Sequence, residues 1–206
     1  MKQRNRVIGA LTGAFLLTVL LVSCASIDNV KVLYQLPQNS SQFSGREVYF
    51  TLQDARPSRN ILGMGARREL TNFPGNIIYS IAKYNQPGFR LGPYQVPDMV
   101  RDAFMRRLEN MGFRVLPLSD PSKPTLTIVL QEFSLDYLDH KWLASMKYEA
   151  RLLENGKLLA TQSISAQTER YRLVTKKGAD EALGEVFSDA LNRLNVERLF
   201  EQSSIL

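Results

Sequence analysis

Residues 141–171, KWLASMKYEARLLENGKLLATQSISAQTERY, decide the fold. Trp142, Ala144, Met146, Tyr148, Ala150 and Leu152 occupy alternate positions, with mostly polar residues between them. Successive side chains of a strand point to opposite faces, so this period of two predicts a strand with one apolar and one wet face. Asn155-Gly156 then interrupts the alternation. That pair tolerates the positive φ angles of a two-residue type I′ turn, so the chain is predicted to fold back as a hairpin. The returning run ends at Tyr171 and carries Ile164 and Ala166 on its even-numbered face.

Just ahead of the hairpin, Leu126, Ile128 and Leu130 share one parity and Phe133, Leu135 and Tyr137 the other. A bulge near Gln131-Glu132 would keep both sets on one face. Further upstream, Val96, Val100, Phe104, Leu108 and Met111 recur at helical spacing. Pro97 suits the first turn, and Gly112 supplies a stop. Val48, Phe50 and Leu52 mark another one-sided strand, ended by Asp54-Ala55-Arg56-Pro57, because Pro57 removes a ladder donor. Residues 76–83 and 113–118 read as strands, and 84–94 as a loop punctuated by Gly and Pro. Residues 30–36 read as a short edge strand, and 37–45 as a polar loop too poor in apolar surface to order itself. At the C-terminal end Leu183, Phe187, Ala190, Leu191 and Leu194 form a helical stripe that Val196, Leu199 and Phe200 extend. Asp180 and Glu181 fall in its first turn, where the helix dipole favours anions.

Two amphipathic helices and a mostly antiparallel sheet, each with one apolar face, are satisfied when both helices pack on the same side of the sheet. The expected class is therefore α+β, a two-layer sandwich, with a single domain over 46–201 and a tail at 202–206.

The first 24 residues, MKQRNRVIGALTGAFLLTVLLVSC, are of another kind. Lys2, Arg4 and Arg6 precede an uncharged run from Val7 to Val22, shorter than the roughly 20 residues a membrane-spanning helix needs. That order is the build of a secretory leader. Leu21-Val22-Ser23-Cys24 resembles the lipobox of bacterial lipoprotein precursors: a branched residue, two residues at the cleavage site, then a cysteine whose sulfur takes a diacylglyceryl group. The resemblance implies a signal peptide at 1–23, cleavage between Ser23 and Cys24, diacylglycerol and N-acyl chains on Cys24, and a lipidated tether over 24–45. Each buried methylene is worth about 0.8 kcal/mol, and two chains already hold a protein on a bilayer. By the same resemblance, Ala25, standing where an aspartate would imply inner-membrane retention, implies the outer membrane with the domain facing the periplasm.

Removing 23 of the 206 residues leaves 183, enough for one full core. With the three leader cations gone the formal charge falls from +6 to +3, weak ground for a nucleic-acid partner. Cys24 is the only cysteine, so no intrachain disulfide forms. His140 is the only histidine, which removes His/Cys metal spacing and the Cys/His pair, and no Gly-x-Ser-x-Gly elbow occurs. His140 lies in a polar connection and reads as a turn residue. Asp136, Asp139 and Glu132 are the acids a hydrolase would draw on, and they lack a basic partner or glycine loop. No catalytic residue, metal site or cofactor is expected beyond the lipid.

The connection 54–75 is longer than most, and long loops are often functional. It carries Arg56, Arg59, Arg67 and Arg68. Asp54 and Arg56 flank one residue and are placed to pair. The sharper reading is that the four arginines form a basic lip for lipid headgroups or an acidic partner.

The order of elements over 30–200 resembles the YajG-like lipoproteins and the related auxiliary lipoproteins of ABC/MCE transport systems. The likeness is carried by Leu108-Glu109-Asn110-Met111-Gly112-Phe113-Arg114-Val115, by residues 126–133 and 157–164, and by the Ala-rich 179–194. It implies a binding or assembly role with an envelope protein partner or by self-association. A carrier of lipid or another hydrophobic ligand, with a cavity between sheet and helices, is the alternative.

Overall fold

The hairpin forms as its residues dictate. The computed structural model describes residues 27–171 and 177–202. Strands β7 (Lys141–Glu154) and β8 (Lys157–Tyr171) pair antiparallel from Lys141↔Tyr171 to Glu154↔Lys157. Asn155 and Gly156 both have positive φ, 50° and 74°. The even-numbered face of β7 from Trp142 to Leu152 is buried throughout.

Upstream come β1 (Val30–Gln35), β2 (Glu47–Asp54), β3 (Ile77–Ala82), β4 (Phe89–Tyr94), β5 (Arg114–Leu116) and β6 (Thr125–Leu138). The helices are α1 (Met64–Glu69), α2 (Val96–Asn110), α3 (Lys177–Arg193) and α4 (Val196–Glu201). The predicted parity switch in β6 is a register shift between Leu130 and Glu132, and it keeps Ile128, Leu130, Phe133 and Leu135 all at 2% exposure or less. Gly112 ends α2 at φ +96°, a conformation L side chains rarely adopt, and the Phe113 N–H returns to the Leu108 carbonyl.

The fold is α+β, but the strands divide into two sheets. The larger has the order β5-β2-β6-β7-β8 and the smaller β1-β3-β4. β1 runs parallel to β3, and β2 runs parallel to both β5 and β6; the remaining pairs are antiparallel. Alternation within a strand shows which face is buried and not which strand lies alongside, so this division was not legible locally.

Both long helices pack on the buried face of the larger sheet. Tyr148 of β7 shows it: its ring meets Phe104 of α2 edge-on at 5.4 Å, and its hydroxyl donates to the Ala190 carbonyl of α3 at 2.8 Å. Phe187 of α3 joins the sheets, with Tyr34 of β1, Tyr79 of β3 and Phe133 of β6 edge-on around it at 5.7, 6.3 and 6.0 Å. Each such ring, fully buried, contributes about 1.5–3 kcal/mol by removal from water.

Three stretches differ from their sequence reading. β1 is an edge strand as expected, yet Val30, Val32 and Tyr34 are in the main core, and α3 covers its open side. Phe43 orders the polar loop after it by stacking on Phe113 at 4.4 Å, so the order comes from a distant partner. Residues 89–94, expected as loop, form β4; Pro93 is tolerated because β4 is an edge strand.

Candidate functional site

Residues 54–75 fold back onto β6. Beyond its bulge β6 has lost β2 as a neighbour, and Ile61–Gly63 takes its place: Leu135 N donates to Ile61 O at 2.8 Å and Gly63 N to Leu135 O at 2.9 Å. The Asp136 carboxylate then caps the start of α1, its Oδ1 accepting from Gly65 N at 2.9 Å and Ala66 N at 3.1 Å. Gly65 is needed for closeness, since a Cβ there would lie 1.8 Å from the Tyr137 carbonyl oxygen. Ile61, Leu62, Ala66 and Leu70 are buried, so the segment read as a loop supplies part of the core. Its cap comes from a residue about 70 positions away, and no local signal announces it.

The four arginines separate into two pairs. Arg56 grips Asp54 with two bonds, Nε to Oδ1 at 2.8 Å and Nη2 to Oδ2 at 2.9 Å, and its side chain is only 3% exposed. The guanidinium holds the Asp54 carboxyl below the ordinary carboxylate range. This is the strand-end salt bridge. Arg59 lies exposed beside it, while Arg67 and Arg68 are exposed on α1 next to the β6–β7 turn. Arg67 Nε donates to Leu62 O at 3.0 Å, which fixes its stem.

The acids singled out as hydrolytic candidates have other partners or lie in turns. Asp136 is the α1 cap, and Glu132 Oε1 accepts from Ser134 Oγ at 2.9 Å. Asp139 and His140 are the exposed turn between β6 and β7, with φ 48° and 61°. Among the described residues no group of three His, Cys, Asp or Glu side chains could hold a metal ion. Ser23 and Cys24 lie outside the described residues.

A groove of about 1350 Å³ has α3 as its floor and the edge strands β1 and β8 as its walls. Leu33, Gln167, Arg170, Asp180, Glu185 and Ser188 line it. Side chains of α3 satisfy the open edge of β1: Lys31 N donates to Asp180 Oδ1 at 2.8 Å, Gln35 N to Ser188 Oγ at 3.2 Å, and Asn192 Nδ2 to Gln35 O at 3.1 Å. Burial pushes the Asp180 carboxyl up, and the Lys31 N–H draws it partly back. Arg170 and Glu185 pair across the groove. The groove exists only where two edges distant in sequence meet over one helix, so the sequence gives no sign of it.

Behind that helix the interior is filled by rings. The phenyl rings of Phe50 and Phe104 stack at 5.8 Å, and the Phe187 cluster occupies the junction of sheets and helix. Arg107 is sealed in beside them. Arg107 of α2 is 6% exposed and donates through Nη2 to the Leu194 carbonyl at 2.7 Å and the Asn192 carbonyl at 3.3 Å, at the C-terminal end of α3 where the dipole favours positive charge. Burial lowers its pKa and raises those of Tyr34 and Tyr148 beside it well above the ordinary tyrosine value. Arg107 follows Val100 by seven and Phe104 by three, so helical spacing did mark it as inward-facing.

No family model matches the chain, and a search of curated proteins finds no match. Among solved structures the fold is similar to that of protein XCC0632 from Xanthomonas campestris, of the family DUF330. The likeness has a TM-score of 0.56 at 18% identity and covers 88% of this chain and 100% of that one. It is a likeness of fold. Two bacterial lipoproteins align at a TM-score of 0.40. They are rare lipoprotein B from Shewanella oneidensis (12% identity, 52% of this chain and 89% of that one) and a minor lipoprotein from Acinetobacter baumannii (10%, 77% and 94%). At that score neither carries an argument about function.

Proposed function

We propose that this chain is a lipid-anchored, periplasm-facing component of the bacterial envelope, held on the outer membrane, that binds or assembles with a protein partner and catalyses no reaction. The observation that carries the reading is the lipobox-like Leu21-Val22-Ser23-Cys24, closing a secretory leader six residues before the first strand of the core. The family resemblance belongs to the same proposal: a YajG-like lipoprotein serving lipid transport or outer-membrane maintenance. The partner surface is the groove along α3, where an extended segment could join the edge of β8, the edge of β1 being already bonded by α3. The ring-filled space between sheet and helices does not favour the carrier alternative.

Capture of the mature protein from native membranes, with proteins and lipids both identified by mass spectrometry, tests this. A defined envelope protein should be recovered, and Thr168→Trp, on the α3-facing side of β8 with Ala166 and Arg170, should fill the groove and remove it. Recovery of the same proteins by both forms rules the groove out. Recovery of this protein alone, or turnover of a substrate by the purified domain, overturns the assembly role. Radioactive palmitate should label the wild type and not Cys24→Ser.

A further inference from the structure

The two ends of the larger sheet are about 45 Å apart, the length of a 14-residue strand such as β7. One end is built from the Asp139-His140 turn, Tyr171 paired to Lys141, the start of α3 and α1. Gly65 lies against the Tyr137 carbonyl, and a Cβ on Gly178 would lie 2.9 Å from Trp142 Cδ1 and 3.4 Å from Tyr171 O. The first described residues arrive at this same end. Lys31 N is bonded to Asp180 near the start of α3, and Asp28 exchanges hydrogen bonds with Asn72 just past α1, its N–H to the Asn72 carbonyl at 3.3 Å and the Asn72 N–H to its Oδ2 at 3.0 Å. Ile27 is therefore here, and Cys24, three residues earlier, can be no more than about 11 Å from it along the chain.

Four large apolar side chains are exposed at this end: Ile27 (64%), Met64 (79%), Leu138 (59%) and Tyr171 (65%). They come from four separate segments, so no single amphipathic element accounts for their meeting. Arg67 and Arg68 stand on α1 beside them. The other end exposes Leu118 and Leu158, and Phe89 lies at the far end of the smaller sheet.

We infer that this end is the bilayer-seating face: Ile27, Met64, Leu138 and Tyr171 enter the interfacial zone of the membrane while Arg67 and Arg68 reach lipid phosphates. The inference rests on the lipid-anchor reading and deepens it. A lipid on Cys24 alone would leave the domain free to tumble on a short leash. Apolar side chains at the leash's own end, with a tyrosine suited to the water–lipid boundary and arginines able to snorkel, hold it upright. The long axis of β7 then stands on the membrane, and the groove along α3 faces sideways into the periplasm.

Because Cys24 is consumed by lipid, an added cysteine is the one free thiol for a probe. The full-length, lipidated protein is reconstituted into vesicles of phosphatidylethanolamine and phosphatidylglycerol, with a polarity-sensitive fluorophore attached through Met64→Cys or Leu138→Cys. Leu118→Cys and Leu158→Cys report the opposite end. All four side chains are more than half exposed, so each variant should fold. Headgroup-level nitroxide lipids should quench the probes at 64 and 138 several-fold more than those at 118 and 158, and Arg67→Glu with Arg68→Glu should reduce the difference. Equal, weak quenching at both ends of a protein that floats with the vesicles and carries palmitate overturns the seating face and leaves the anchor standing. A blue shift at 64 and 138 without lipid quenching means that protein covers this end, and overturns it too. Absence of palmitate on Cys24 removes the anchor and the seating face together.

Discussion

β7 ends at both sides in a two-residue turn of the same backbone shape, and the two turns are supported differently. Asn155-Gly156 has φ of 50° and 74°, Asp139-His140 has 48° and 61°. Glycine adopts that region without penalty and asparagine with little, so the first turn is stable by its own sequence. Aspartate adopts it less readily and histidine less still, so the second depends on what surrounds it. What surrounds it is α1, capped by Asp136 and pressed onto the Tyr137 carbonyl through Gly65. One turn is local chemistry, and the other is a tertiary assembly at the end where the chain leads back to Cys24.

The strongest way to break this contrast is Gly65→Ala. A Cβ 1.8 Å from a backbone oxygen forces α1 away from the hairpin, and the loss should be about 3 kcal/mol. Urea unfolding measures it. Hydrogen exchange should rise at 136–141 and stay unchanged at 153–158; an even rise would show that α1 does not buttress the turn.

A smaller effect is expected from Asp54→Asn, where the supporting segment leaves the larger sheet. It leaves the nearly buried Arg56 guanidinium without its carboxylate and should lower stability by about 2 kcal/mol at neutral pH. The pH dependence has a definite sign. Asp54 titrates lower in the folded chain than in the unfolded one, so its stabilisation is complete above the ordinary carboxylate range and is lost as pH falls through its depressed folded value. Wild-type stability should therefore decline on acidification more steeply than that of the variant. Parallel declines would assign the acid sensitivity to other groups.

The smallest change sharpens the comparison directly. Replacing Asp139 by Asn and His140 by Gly gives the near turn the chemistry of the far one, and should raise stability by about 1 kcal/mol. Gly156→Ala should lower it by a similar amount. Thermal unfolding of the two variants tests both signs, and a destabilised Asn-Gly variant would mean that the Asp139 or His140 side chain makes a needed contact.

How far the sequence could be read follows the same division. The hairpin, the β6 bulge, the C-terminal stripe and the α2 stripe with its Pro97 start and Gly112 stop were legible because each depends on residues within a few positions. β4 was hidden by Gly92 and Pro93, which are permissible only at a sheet edge that other strands define. The Asp54–Arg56 pair at the strand end was legible because one residue separates the two, but that Arg67 and Arg68 stand apart from it on an exposed face of a helix was not.

By itself the sequence determined the α+β class and the inward face of the long strands and helices, because periodicity is a local property; the resemblance of its first 24 residues to a lipoprotein leader is likewise carried by adjacent residue types. Only the tertiary structure decided that there are two sheets, that α3 bridges them by bonding the β1 edge, that Asp136 caps a helix far away in sequence, and that Ile27, Met64, Leu138 and Tyr171 share one end. Those facts depend on which segments become neighbours, and that is set by the packing of the whole core around Phe187 and Tyr148.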